Sequence, residues 1–294
     1  MSYDVIVVGG SYAGMAAALQ VARARRKIMV IDAGVRRNRF AAHSHGFLGQ
    51  DGVAPAEIVA AARQQLVAYP NLVWTEGQAE RAAIDSHGFT VVMQDGTEHR
   101  SLRLVLALGV TDSLPEIPGL QERWGKSVFH CPYCHGFELN GGPLGVLAVG
   151  DISMHQAILI PEWGQTTLLT NGTFEPSPAQ LAELDRRSVT VERSPVVRVT
   201  GNADVELADG RVLSLAGLFT ASRTQPSSSL AEDLGCALDE GPLGPFLRTD
   251  AMKATSIPGV FACGDAARGA GSVSLAVGDG ALAGAAVHRS LIFG

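Results

Sequence analysis

The N-terminal segment constrains the fold of this chain more than any other stretch. A β-rich run over 5–8 leads into the loop Gly9-Gly10-Ser11-Tyr12-Ala13-Gly14, and an alanine-rich helix is predicted over 15–25. A second predicted strand over 27–31 ends at Asp32. Glycines in such a turn let backbone N–H groups meet a pyrophosphate at the helix N-terminus, and an acid about twenty residues on can hold an adenosine ribose. The segment therefore predicts a βαβ unit that binds a dinucleotide.

The loop departs from the G-x-G-x-x-G pattern at one position, because Ser11 stands where the pattern has its second glycine. An imperfect glycine loop also occurs in ordinary βαβ turns that hold no ligand, and this alternative stays open. The flanking strands and Asp32 favour dinucleotide binding.

The order of elements in the first half recurs in the second half. A buried strand over 144–149, a helix over 152–163 and a strand over 167–170 repeat the N-terminal arrangement. The sequence therefore predicts two nucleotide-type modules, each with an inserted β-meander. Segments rich in proline or glycine at 112–119 and 240–245 predict the domain boundaries.

The second module lacks the residues that a nicotinamide dinucleotide needs. Gly150 is followed by Asp151 and Ile152, whose side chains crowd a pyrophosphate, and the Asp151 charge repels it. The stretch 171–175 contains no arginine for a 2′-phosphate. We expect this module to bind nicotinamide cofactors poorly or not at all; the alternative is a site with unfamiliar contacts.

Composition narrows the class of protein. A chain of 294 residues favours two domains over one core. A formal net charge of −6 gives no basic footprint for nucleic acid. No apolar run approaches the length of a membrane span, and the N-terminus has no signal-peptide pattern. We therefore expect a cytoplasmic protein without membrane association.

A second conspicuous feature is the segment His130-Cys131-Pro132-Tyr133-Cys134-His135-Gly136, in a chain with only four cysteines. A redox disulfide beside a flavin is the favoured interpretation. Zinc is an alternative because two histidines flank the thiols, although no second Cys/His pair has finger spacing. The pattern also matches c-type haem attachment, which requires export. An inert pair is the last alternative.

Several histidines are candidates for acid/base work beside the thiols. An imidazole near a thiol can accept its proton at neutral pH and return it later. His135 is the first candidate and His130 the second. His43 and His45 are candidates for a position over a flavin, but a loop histidine is more often only solvated.

Together these features resemble the low-molecular-weight thioredoxin reductase family of flavoprotein disulfide oxidoreductases. The resemblance covers the whole chain and rests on the glycine loop, the Cys131–Cys134 pair, Arg223-Thr224-Gln225-Pro226 and Phe261-Ala262-Cys263-Gly264-Asp265. It implies a homodimer of α/β class with two Rossmann-like (FAD/NAD(P)-binding, three-layer ββα) domains, the second inserted in the first. The FAD-binding domain would be discontinuous over 1–113 and 244–294, and the inserted domain with the redox pair would cover 114–243.

The resemblance also implies which residues hold FAD. Asp265 is expected to bind the ribityl chain, and the backbone near Ala276 is expected to meet the flavin ring. The full expected set is Gly9, Gly10, Ser11, Tyr12, Ala13, Gly14, Asp32, Ala33, Gly34, Asn38, His45, Gly109, Gly264, Asp265, Leu275 and Ala276. No metal ligand is expected.

Two departures from the reductases are informative. Those enzymes place an aspartate after the second cysteine, where this chain has His135, and they keep an intact second glycine loop with basic residues beyond it. The segment Cys131–Gly136 is similar to that of the dithiol oxidases that close the disulfides of gliotoxin and holomycin. That branch is thought to pass electrons from a dithiol through FAD to oxygen.

Three functions remain open from the sequence. The favoured one is oxidation of a small dithiol through Cys131–Cys134 and FAD with O2 as acceptor, largely independent of NADPH. The second is NADPH-dependent reduction of a thioredoxin-like protein. The third is a flavin-binding regulatory protein with little turnover.

Overall fold

A computed structural model describes residues 2–294. Its strands, numbered in chain order, are β1 Ser2–Val8, β2 Ile28–Asp32, β3 Leu72–Glu76, β4 Ala79–Asp85, β5 Gly88–Met93, β6 Glu98–Leu106, β7 Val110–Ser113, β8 Val128–Phe129, β9 Gly141–Leu147, β10 Gly164–Leu169, β11 Thr190–Glu192, β12 Val196–Thr200, β13 Asp204–Leu207, β14 Val212–Leu213, β15 Gly217–Thr220, β16 Arg223–Pro226, β17 Leu238–Gly241, β18 Gly244–Leu247 and β19 Val260–Ala262.

The helices are α1 Tyr12–Arg23, α2 Pro55–Val67, α3 Leu120–Arg123, α4 Pro132–His135, α5 Ser153–Leu159, α6 Pro178–Arg186, α7 Leu230–Asp233 and α8 Val273–Phe293. Short 3-10 turns cover Phe137–Leu139, Ile160–Glu162 and Gly264–Ala267. No helix within residues 2–294 combines the length and the apolar character that crossing a membrane requires.

The chain divides into two compact units. The first comprises 1–39, 47–111 and 224–294, and the second comprises 40–46 and 112–223. The chain therefore returns from the second unit to the first after residue 223, whereas the predicted boundary lies at 243. Residues 224–243 belong to the first unit because Leu230, Leu234 and Cys236 are buried in one of its hydrophobic clusters.

The first unit is built on a sheet of order β3-β2-β1-β6-β5-β4, with β19 also paired to β6. Strands β3, β2, β1, β6 and β19 are parallel, and β5 and β4 continue the sheet antiparallel. Alternate residues of β1 point to opposite faces. Val5 and Val7 enter one apolar cluster, and Ile6 and Val8 enter the other.

Helix α8 packs closely on α1, and glycines of α8 face the α1 backbone at the contact. A Cβ added at Gly280 would lie 2.0 Å from the Ala13 carbonyl oxygen, and one at Gly284 would lie 2.4 Å from that of Ala17. The two backbones can approach this closely only with glycine at these positions. The close contact fixes the start of α1, where the glycine loop ends.

The second unit repeats this arrangement with a sheet of order β11-β10-β9-β15-β8, in which all pairs are parallel. A separate antiparallel sheet is formed by β12, β13 and β14. The α/β class with Rossmann-type parallel sheets is confirmed.

Local expectations failed in three places. The glycine- and proline-rich stretch 240–245, predicted as a linker, forms the tip of the hairpin β17–β18, where Gly244 has φ +135°. The predicted helix over 152–163 is α5 followed by a 3-10 turn, with Pro161 inside the turn. The residue pattern also predicts two separate strands, over 97–100 and 104–108, and the structure has the single strand β6 there.

Candidate active site

The glycine loop connects β1 to α1 by a turn that side chains would block. Gly9 has φ +109°, and a Cβ there would lie 2.1 Å from the Ala107 carbonyl oxygen. A Cβ on Gly14 would lie 1.7 Å from the Gly9 carbonyl oxygen. Ser11 occupies the N-cap with extended backbone, and its side chain makes no capping hydrogen bond in the described chain. The first-turn N–H groups of α1, at Tyr12 and Ala13, are thus directed at a site suited to an anion.

Asp32 lies at the end of β2, next to the loop. Its Oδ1 accepts a hydrogen bond of 3.0 Å from the Gly34 backbone N–H, which fixes the turn through Ala33. A Cβ on Gly10 would lie 2.4 Å from Asp32 Cγ. Only glycine at position 10 therefore lets the loop backbone pack this closely on the Asp32 side chain.

The segment after Asp32 contains buried polar side-chain atoms, two of which lack a hydrogen-bond partner in the described chain. Asn38 Nδ2 donates to the Tyr12 hydroxyl at 3.1 Å. Asn38 Oδ1 and Arg36 Nε are buried without a hydrogen-bond partner among residues 2–294. Burial raises the pKa of the Tyr12 phenol, against the hydrogen bond from Asn38 and the charge of Arg36. Unpaired buried polar atoms beside an open glycine loop fit a bound polar group such as a dinucleotide.

Three further expected cofactor residues of the first unit lie at two turns. Gly264 has φ +72° and begins a 3-10 turn, and Asp265 follows it. Asp265 Oδ2 forms a 2.9 Å ion pair with Arg37 Nη1. Gly109 also has positive φ, +68°. Gly264 and Gly109 thus share a backbone conformation that residues with a Cβ rarely adopt.

The start of α8 carries the last two expected residues. The backbone N–H groups of Leu275 and Ala276 both donate to Ser272, to its side chain at 3.2 Å and to its carbonyl oxygen at 2.9 Å. Ala276 is buried and Leu275 is 44% exposed. The N–H groups of both residues are therefore already bonded within the cap.

The cysteine pair lies in the second unit, at the start of a single helical turn after β8. Cys131 is the N-cap of α4, and Pro132 occupies the first helical position, where its missing N–H costs nothing. The Cys134 N–H donates to the Cys131 carbonyl oxygen at 3.3 Å. Both cysteines are half-buried. The tight turn holds the two residues at one end of a helix, as thiol–disulfide chemistry requires.

The other two cysteines have a different environment. Cys236 is 8% exposed and Cys263 is fully buried. Burial raises the pKa of the Cys263 thiol to about 12, so it stays protonated at neutral pH. Burial also raises the pKa of Cys236. Burial and a raised pKa make both thiols inert packing residues.

His135 follows the second cysteine and stacks on Phe129, with ring centroids 4.3 Å apart. Burial lowers the pKa of His135 from 6.5 to about 4; the charge of His45 lowers it further, and the Glu138 carboxylate opposes both. His135 is therefore a neutral imidazole at neutral pH. It can accept a proton there, and it holds the proton weakly.

His45 belongs to the second unit, through the segment 40–46. Its Nδ1 lies 3.4 Å from Glu138 Oε1. His43 is exposed, and its ring centroid is 6.4 Å from that of His45. Sequence analysis did not identify Glu138, because only the fold brings position 138 to position 45.

His130, the second candidate, packs beside Trp124 with ring centroids 6.0 Å apart. Its carbonyl oxygen accepts a 2.9 Å hydrogen bond from Gln156 Nε2 on α5. Gln156 is a further residue that the sequence did not reveal. It fixes the backbone directly before Cys131.

Two large aromatic side chains beside the cysteine pair are exposed to solvent. Tyr133 is 71% exposed and Phe137 is 82% exposed. The Tyr133 ring meets Trp163 edge-on, with centroids 5.2 Å apart. No group of three or more His, Cys, Asp or Glu side chains in the described chain could hold a metal ion.

The loop after β9 in the second unit carries an acidic side chain beside Gly150. Asp151 Oδ1 accepts a 2.6 Å hydrogen bond from Gln180 Nε2, and the Val149 N–H donates to Ser153 Oγ at 3.0 Å. Beyond β10, Glu175 forms a 2.6 Å ion pair with Arg193. Carboxylates thus follow β9 and β10, whose carboxyl ends are the edge of a Rossmann-type sheet at which dinucleotides bind.

Comparisons with known proteins agree with this geometry. A family profile for pyridine nucleotide-disulphide oxidoreductases matches residues 3–280. Thioredoxin reductase tcpT of Claviceps purpurea is 32% identical, over 98% of this chain and 94% of that protein. The crystal structure of an oxidoreductase from Agrobacterium tumefaciens is 55% identical with a TM-score of 0.98, over 100% of this chain and 99% of that one. The crystal structure of HlmI is 34% identical with a TM-score of 0.92, over 99% of this chain and 93% of that one.

These matches extend over almost the whole chain, so the expected family and enzyme class are confirmed. The chain belongs to the pyridine nucleotide-disulphide oxidoreductase family and is a thioredoxin reductase-like flavoprotein disulfide oxidoreductase.

Proposed function

We propose that this protein oxidises a small dithiol to a disulfide, with the Cys131–Cys134 disulfide as the immediate electron acceptor. A substrate thiolate attacks Cys131 Sγ, the Cys131–Cys134 bond breaks, and a mixed disulfide forms. The second substrate thiolate then attacks the substrate sulfur and releases Cys131. The substrate loses two electrons and two protons, and the two cysteines gain two electrons.

Proton transfer in this scheme falls to the groups around Cys134. His135 is neutral at neutral pH and lies next to Cys134 in the chain, so its imidazole nitrogen can take up a proton from a substrate thiol. Because burial lowers its pKa to about 4, this transfer is uphill and the proton is passed on quickly. The Glu138–His45 contact supplies a second pair of groups able to hold that proton, and His130 is the remaining candidate.

FAD is the cofactor of this proposal, held by the glycine loop, Asp32, Asn38 and Asp265 of the first unit. When bound, it would supply the two-electron acceptor that returns the reduced cysteine pair to the disulfide, with O2 as the final acceptor and hydrogen peroxide as the product. The chain's own part is to hold the cofactor in the first unit and the cysteine pair in the second.

The observation that carries independence from NADPH is the Asp151 carboxylate, fixed by Gln180 in the second glycine loop. A phosphate brought there would meet a like charge at close range. The Glu175–Arg193 pair supports the same conclusion, because the charge of Arg193 is already paired with a carboxylate.

The exposed rings of Tyr133 and Phe137 support a compact, partly apolar dithiol as the substrate. A thioredoxin-like protein is the alternative partner. Oxygen as acceptor, a homodimer and a cytoplasmic location stay predictions.

The test is to mix the anaerobic, FAD-loaded protein with dithiothreitol and, separately, with NADPH, and to follow the visible flavin absorbance. We expect bleaching by dithiothreitol only, followed in air by oxygen uptake and hydrogen peroxide. Cys131→Ser and Cys134→Ser should abolish the bleaching. Cys236→Ala, at a buried thiol outside the site, should leave it unchanged.

Two outcomes would overturn the proposal. Rapid bleaching by NADPH would make the protein an NADPH-dependent reductase. No response to either reductant would leave a flavin-binding protein with little turnover.

A further inference from the structure

The indole of Trp74 is positioned beside the acid that ends β2. In the parallel pairing of β2 with β3, Val30 stands opposite Trp74 and Asp32 stands opposite Glu76. Trp74 therefore lies on the strand next to Asp32, two residues before Glu76, which is the residue paired with Asp32. Residues two apart on a strand share a face, so Trp74 and Glu76 point to the same side of β3.

The glycine loop converges on the same point. A Cβ on Gly10 would lie 2.4 Å from Asp32 Cγ and 2.7 Å from Trp74 Cζ2, so the Gly10 backbone packs directly against both side chains. Cζ2 and Nε1 of an indole are bonded to the same ring carbon. The N–H edge of Trp74 therefore adjoins the glycine loop and Asp32.

The indole N–H has no protein acceptor there. Trp74 Nε1 is buried and has no hydrogen-bond partner in residues 2–294. An indole nitrogen can only donate, and a buried donor without an acceptor is destabilising. An acceptor supplied by a ligand would remove this penalty.

The ring itself is held in place by charged neighbours. The Arg63 guanidinium lies 4.8 Å from the centroid of the Trp74 ring, and Arg63 forms a 2.6 Å ion pair with Glu76. This stacking fixes the plane of the indole without using its N–H. The donor is thus oriented in advance and left available.

We propose that Trp74 Nε1–H donates a hydrogen bond to the adenosine half of bound FAD. The acceptor lies beside the ribose hydroxyls, which would donate hydrogen bonds to the Asp32 carboxylate. Trp74 is then a residue that selects FAD over FMN, because FMN has no adenosine. The proposal rests on membership of a flavoprotein family and is independent of dithiol oxidation.

The test compares FAD and FMN binding to the full-length apoprotein by isothermal titration calorimetry. Trp74→Phe keeps an aromatic ring under Arg63 and removes the donor. We expect its Kd for FAD to rise about ten-fold, since one hydrogen bond to a buried donor changes affinity by roughly that factor. The Kd for FMN should not change. Trp163→Phe, in the second unit, is the matched control and should leave both constants unchanged.

A measurement on the unsubstituted protein covers the case in which Trp74→Phe folds poorly. In protein labelled with 15N at the tryptophan indoles, FAD should shift one Nε1–H resonance downfield and slow its exchange with water, whereas FMN should not. The proposal is overturned if Trp74→Phe binds FAD as tightly as the parent protein, if it loses FAD and FMN affinity equally, or if no indole resonance responds to FAD alone. None of these outcomes decides the test of dithiol oxidation, which uses the unsubstituted, FAD-loaded protein.

Discussion

At the scale of single residues, His135 has the most consequential environment. Its pKa is lowered to about 4 in the folded protein, chiefly by burial, whereas an unfolded histidine titrates near its ordinary 6.5. The unfolded state therefore binds more protons below pH 6.5. The stability that comes from a neutral His135 is present above that pH and is lost as pH falls toward 4, to a total of about 3 kcal/mol.

The corresponding prediction uses urea unfolding at pH 7 and pH 5. The parent protein should lose part of its unfolding free energy at pH 5, and His135→Asn should lose less. His87→Asn, at an exposed loop histidine, is the control and should behave like the parent. Equal losses in His135→Asn and the parent would show that His135 does not titrate with the lowered pKa described above.

The limits of sequence-based prediction are also clearest at single residues. The cysteine pair, the glycine loop and Asp32 were identifiable because their chemistry depends on residue type and short spacing. The Glu138–His45 contact and the Gln156 bond to His130 join positions far apart in the chain, so only tertiary structure reveals them. The lowered pKa of His135 depends on burial against Phe129, which no local pattern encodes.

At the scale of elements, the contact between α1 and α8 depends on where glycine is placed within one helix. A Cβ at Gly280 would lie 2.0 Å from the Ala13 carbonyl oxygen, whereas one at Gly278 would meet nothing within 4 Å. Gly280→Ala should therefore force the helices apart and cost about 1–3 kcal/mol of unfolding free energy. Gly278→Ala should be neutral or stabilise by up to about 1 kcal/mol, because alanine favours the helix.

Thermal unfolding of the two alanine variants, which differ only in position along α8, provides the measurement. Gly280→Ala should also weaken FAD binding, since Ala13 lies in the glycine loop. Equal unfolding temperatures for both variants would contradict the close contact of α1 with α8.

Helices and strands were predictable where a regular apolar pattern is followed by a residue type that ends the element. Strand β2 was placed to within about one residue because a buried apolar strand that ends at a polar residue has a local signature. The hairpin β17–β18 was not, because glycine and proline mark tight turns and linkers alike. Strand β4, with the sequence Ala79–Asp85, was missed because alternate positions carry charges and small residues without a clear apolar repeat.

At the scale of the whole molecule, the chain carries two related units whose loops after the first strand of the βαβ unit differ in residue type and charge. Gly9, Gly10 and Gly14 form the tightly packed loop of the first unit, whereas Asp151, bonded to Gln180, follows Gly150 in the second. A ligand that binds only the folded state stabilises it in proportion to the logarithm of its concentration, by about 2.7 kcal/mol at one hundred times its Kd. FAD should therefore raise the Tm of the apoprotein, and NADPH should not.

Differential scanning calorimetry of the apoprotein with increasing FAD or NADPH tests this prediction. Gly10→Ala should reduce the response to FAD, because the added methyl group would lie 2.4 Å from Asp32 Cγ. A rise in Tm with NADPH as large as the rise with FAD would mean that the second unit accommodates a phosphate despite the Asp151 carboxylate. The carboxylate would then have to turn away from Gln180, and Gln180→Ala should enlarge the NADPH response; if it does not, the nucleotide binds at a place other than the second glycine loop.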